Sequence, residues 1–119
     1  MKAASTLLSL VGASLQLVAS AALAAPSLDG NKLYEYCAAK EGFFQSGLCS
    51  GYIFGVVDGL STAHIGLNAP APFCVPQGVT NGQIVDVVVR YFEATPEQRH
   101  FAAASTIAVA LMKAFPCKK

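Results

Sequence analysis

The chain has little of what chemistry at a catalytic site requires. Of its 119 residues only 13% are charged, two are histidines, and no two of its four cysteines stand closer than twelve positions. Structural zinc is held by close pairs such as C-x-x-C, so this spacing argues against a metal site. Neither a G-x-G-x-x-G run nor a Walker lysine is present to cradle phosphate. The seven carboxylates, Asp29, Glu35, Glu41, Asp58, Asp86, Glu93 and Glu97, are spread along the sequence without clustering. His64 follows Asp58 by six positions, which on a helix is about 600° of rotation and separates the two side chains. His100 stands beside Arg99, and Ser50, Ser61 and Ser105 lack the strand-to-helix context of a nucleophile elbow. No catalytic, cofactor-binding or metal-ligating residue is expected, and the chain is read as a non-enzyme.

A surplus of charge is also missing. The formal net charge is +1, which leaves no electrostatic footprint for nucleic acid or an anionic membrane. Lys2 is the only charge before Asp29 and is followed by an apolar run from Leu7 to Val18 and by Ala22-Leu23-Ala24. A short basic start, an apolar stretch of about a dozen residues and an A-x-A site together read as a cleavable signal peptide. The run is too short for a membrane span, which needs about 20 apolar residues. The expected organisation is a signal peptide over 1–24 and one exported domain over 25–119, free of the membrane once cleaved. Without Lys2 the domain carries seven basic and seven acidic side chains.

Four helical patterns follow. The first, about Asn31 to Ala39, aligns Leu33, Tyr36 and Cys37, with Ser27, Asp29 and Asn31 as possible N-caps. The second, Cys49 to about His64, is apolar almost all round, and Gly51, Gly55 and Gly59 share one face. Each of these glycines costs roughly 1 kcal/mol relative to alanine, which is tolerable where a backbone must approach closely. Such a helix is expected at the centre of the fold or at a dimer interface. The third begins at Thr80-Asn81-Gly82-Gln83, a capping-box spacing, and carries Ile84, Val87, Val88 and Tyr91 as a stripe. Its valine run, Val85 to Val89, also suits a strand, but the period and the cap favour helix. The fourth is expected to start at Thr95-Pro96-Glu97-Gln98, with Thr95 as cap, and to end before Pro116. The fold class is therefore all-α, a small four-helix domain.

Four cysteines in a short exported chain imply two disulfides with three possible connectivities. An antiparallel hairpin of the last two helices brings Cys74, just before one, near Cys117, just after the other. The same reasoning brings Cys37 near Cys49, so Cys37–Cys49 with Cys74–Cys117 is preferred over Cys37–Cys117 with Cys49–Cys74. The longest irregular stretch lies between His64 and Val79. Within it Ile65, Gly66, Leu67, Asn68 and Phe73 are the candidate partner-binding residues, since long loops carry much of protein recognition.

Several pieces form a recognisable series: Cys49-x-Gly51-Tyr52-Ile53-x-Gly55-Val56-x-Asp58-Gly59, then Phe73-Cys74-Val75-Pro76 and Gly78-Val79-Thr80, then Tyr91-Phe92, Thr95-Pro96-Glu97 and Ala114-Phe115-Pro116-Cys117. In this order they resemble the Rap/Tai immunity-protein family of type VI secretion systems, from about Leu33 to Cys117. The resemblance implies a small helical periplasmic domain, commonly a homodimer, that binds and inhibits a peptidoglycan amidase effector by occluding its cleft. That function needs no catalysis and no cofactor. The competing expectation is a periplasmic stress chaperone or a structural helical dimer without effector specificity. A weaker one is a small-molecule binder using an apolar groove beside the second helix.

Overall fold

The computed structural model describes residues 27–39 and 42–119. The signal-peptide assignment lies outside them, as do Lys40 and Glu41. Four helices follow one another: α1 (Gly30–Ala38), α2 (Phe43–Gly66), α3 (Asn81–Ala94) and α4 (Ala103–Ala114), with a short 3₁₀ turn, Pro96–Gln98, between the last two. Among the described residues there is no strand, only one isolated bridge between Asp29 and Ala102. The all-α expectation holds, and the valine run of α3 is helical.

Local chemistry explains most of the helix ends. Asp29 caps α1, its carboxylate accepting from the Lys32 amide at 2.8 Å. Thr80 and Gln83 form the anticipated capping box on α3. At the end of α2, Asn68 adopts φ 49°, and the amides of Leu67 and Ala69 bond back to the carbonyls of Ala63 and His64. That is the left-handed termination that asparagine tolerates best after glycine. The start of α2 was not legible in the same way. It lies at Phe43, six residues before Cys49, behind Gly42 with φ 114° and no side-chain cap.

The start of α4 corrects the sequence reading. Thr95 does not cap a continuous helix. Its hydroxyl donates back to the Tyr91 carbonyl at 2.7 Å, and its amide bonds the same oxygen, so Thr95 closes α3 instead. The chain then makes one 3₁₀ turn and an extended step through Phe101 and Ala102 before α4 begins. The detour is held by the segment leading into α1. The Gly30 amide donates to Phe101 O, the Asn31 amide to Arg99 O, and the Ala103 amide to Leu28 O at 2.7 Å. A helix running straight on from Pro96 would forfeit all three.

Both disulfides adopt the preferred pairing. Cys37–Cys49 ties α1 to α2 with Cα atoms 5.0 Å apart. Cys74–Cys117 ties the segment before α3 to the end of α4 at 4.9 Å. Loop-closure entropy assigns them about 3 and about 4 kcal/mol respectively, a large share for so small a domain. Between them lies a core of Leu33, Ile53, Val88, Phe92, Ile107 and Leu111, all fully buried. Every helix contributes at least one of these. Each is worth roughly 1.5–3 kcal/mol of burial.

Candidate functional site

The surface that the sequence singled out is built from the last turn of α2 and the loop behind it. Ile65 and Leu67 are 76% and 77% exposed, and Gly66 and Asn68 are exposed beside them. Ile65 and Gly66 belong to the helix, so they are presented on rigid backbone. Phe73 differs from the other four: it is half-buried and packs against the core, anchoring the loop. His64 is turned inward, its Nδ1–H donating to the Ala69 carbonyl. Together with Cys74, whose amide donates to Phe115 O at 2.8 Å, these contacts hold the loop at both ends.

None of the described residues packs closely against the glycine face of α2. A Cβ added at Gly51, Gly55 or Gly59 would meet no atom within 4 Å. The core contacts of α2 come from its opposite side, through Cys49 and Ile53. Apolar residues nevertheless occupy all sides of this helix, and two further aromatic rings, Phe43 (99% exposed) and Phe44 (73% exposed), stand at its start. The sequence reading missed these two because it began the helix at Cys49.

Alongside α2 runs an open groove of about 680 Å³, lined by Leu28, Asp29, Lys32, Tyr36, Leu48 and Tyr52. Its charged groups are engaged locally. Asp29 caps α1, and Lys32 reaches the Glu35 carboxylate at 2.9 Å, which raises the ammonium pKa above its ordinary value. The hydroxyl-bearing Ser27, Tyr36 and Tyr52 also line the groove.

The side chains capable of acid–base work do not converge. His100 bonds the Glu97 carbonyl at 2.8 Å, Asp58 is exposed on α2, and His64 faces its own loop. Among the described residues no group of three potential metal ligands occurs, and no helix is long and apolar enough to cross a membrane. What the described residues present is a disulfide-stapled helical domain with exposed apolar side chains at both ends of α2.

The model of the Rap1a immunity proteins matches residues 29–117, so the chain belongs to that family. Neither the search of curated proteins nor that of solved structures returns a match. Membership points to an immunity protein for a secreted effector, and hence to a protein partner; the family is generally non-enzymatic. With the two disulfides it also suggests an exported protein.

Proposed function

We propose that the protein is a periplasmic immunity protein, delivered by a cleaved signal peptide over residues 1–24. Its partner is a peptidoglycan amidase effector of a type VI secretion system, which it inhibits by covering the cleft and without chemistry of its own. Family membership over residues 29–117 carries this reading. The exposed Ile65, Gly66, Leu67 and Asn68, held by His64 behind and Phe73 ahead, supply the contact surface in this proposal. A second copy covers the open glycine face of α2, since a helix apolar all round is rarely left in water.

The test is protection. Cells exporting the full chain are expected to survive amidase effectors directed to their periplasm, tested across a panel of such enzymes. Ile65→Asp with Leu67→Asp should abolish protection while leaving the fold intact, because both side chains are exposed. Survival with no member of the panel would refute the amidase assignment. Undiminished protection by the double variant would refute the surface.

A further inference from the structure

We propose that the Cys74–Cys117 disulfide is a thiol-exchange site, reduced selectively by dithiols, and that its reduction releases the loop between α2 and α3. The two staples of this domain differ in access. Cys49 is 2% exposed and sits in the core beside Ile53, with its partner Cys37 packed against the same cluster. Cys74 is an exposed residue on the irregular segment, and Cys117 is half-buried. An attacking thiolate must reach a sulfur from solvent; Cys37 and Cys117 are both half-buried, so the contrast between exposed Cys74 and buried Cys49 makes the Cys74–Cys117 bond the more approachable one.

The leaving group favours the same bond. Attack at Cys74 expels the Cys117 thiolate, which is followed directly by Lys118 and Lys119. Neighbouring cations stabilise a thiolate and hasten its departure. In the complete exchange, one thiolate of the dithiol bonds the Cys74 sulfur and the Cys117 sulfur leaves as thiolate, then takes up a proton. The second thiol of the reagent then attacks the mixed disulfide, releasing Cys74 as a thiol. The reagent ends as its own disulfide, and the protein has gained two electrons and two protons.

The loop depends on this bond. Between Pro70 and Gly78 a single backbone hydrogen bond among the described residues reaches another element, from the Cys74 amide to Phe115 O at 2.8 Å. It is made by the disulfide residue itself, and the Cys117 sulfur lies 3.7 Å from the Ala71 carbonyl oxygen in the same corner. With the covalent tie cut, the middle of the segment is held by Phe73, Val75 and that one hydrogen bond, between the Ala69–His64 contacts at one end and the packed Val79 at the other. The helices keep their own core and the Cys37–Cys49 staple. Exchange therefore loosens one corner of the domain and leaves the rest folded.

The experiment uses the oxidised full chain and graded dithiothreitol, quenched with N-ethylmaleimide and mapped by peptide mass. Cys74 and Cys117 should be alkylated at least tenfold faster than Cys37 and Cys49. Amide hydrogen exchange in the singly reduced species should rise over residues 71–78 and stay low in the core turns of α2, α3 and α4. Lys118→Gln with Lys119→Gln should slow the first reduction several-fold at low salt. Labelling of Cys37 and Cys49 first, or of all four together, would overturn the selectivity. Unchanged exchange over 71–78 after selective reduction would overturn the loop release. The double substitution Cys74→Ser with Cys117→Ser should reproduce the raised exchange without reductant. If that variant does not fold, the wild-type labelling order and exchange still decide. None of these readouts needs an effector, so they stand apart from the proposed immunity function.

Discussion

Replacing glycine by alanine should have opposite effects at two positions of this domain. At Gly30 an added Cβ would lie 2.8 Å from Cε1 of Phe92 and 2.9 Å from the Arg99 carbonyl oxygen. Neither neighbour can yield cheaply. Phe92 is fully buried, and the Arg99 carbonyl accepts the Asn31 amide at 2.9 Å. Overpacking of this kind costs about 1–3 kcal/mol, and the helix-propensity gain of alanine is small at a first helical residue. Gly30→Ala should therefore lose about 2 kcal/mol, or roughly 10 °C in Tm for a domain of this size. At Gly55, in the middle of α2, the same Cβ meets nothing. There the substitution should leave the isolated chain as stable or up to about 1 kcal/mol more stable. Urea unfolding followed by circular dichroism, at a concentration low enough to hold the chain monomeric, measures both. Equal stability of Gly30→Ala and wild type would refute the close approach of the α1 entrance to α3, and a large loss at Gly55 would refute the open face.

Removing the Arg99 side chain should cost about 2 kcal/mol, since its Nε–H donates to Phe92 O at 2.7 Å and its guanidinium lies 3.9 Å from the centre of the Tyr34 ring. Arg99→Lys should recover only part of that in the same denaturation assay, because an ammonium lacks the planar fork. Phe92→Ala, at the centre of the core, should lose about 3–5 kcal/mol and unfold much of the protein at growth temperature, as seen by the near-ultraviolet signal. Thr80→Ala should cost about 1 kcal/mol through the lost cap on α3, with α4 amides remaining as protected as in wild type. The Lys32–Glu35 pair raises the lysine pKa in the folded state, so its contribution is fully present below lysine's ordinary pKa of 10.5 and fades as pH rises through the raised value. Lys32→Ala should therefore leave the shape of the stability curve between about pH 6 and 9 unchanged; a new dependence in that window would refute the assignment.

The sequence by itself determined the number and order of the helices and the α3 cap; it narrowed the α1 cap to Ser27, Asp29 or Asn31, and it preferred the disulfide pairing that the structure shows. These follow from local rules: Thr80 and Gln83 meet across one helical turn, and an antiparallel hairpin brings Cys74 to Cys117. The candidate loop was legible for the same reason, because glycine and proline punctuation from Gly66 to Gly78 forbids a regular element. Only the tertiary structure decided which face of α2 is covered. Periodicity locates that face only when polar and apolar sides differ, and on α2 they do not. Only the tertiary structure, too, broke the fourth helix after Gln98. Thr95-Pro96-Glu97-Gln98 has the local form of a helix start, but the amides of Gly30, Asn31 and Ala103 find partners only if the chain takes the extended step through Phe101 and Ala102. Those bonds join positions about 70 residues apart in sequence, and no short window of residues contains both ends of one.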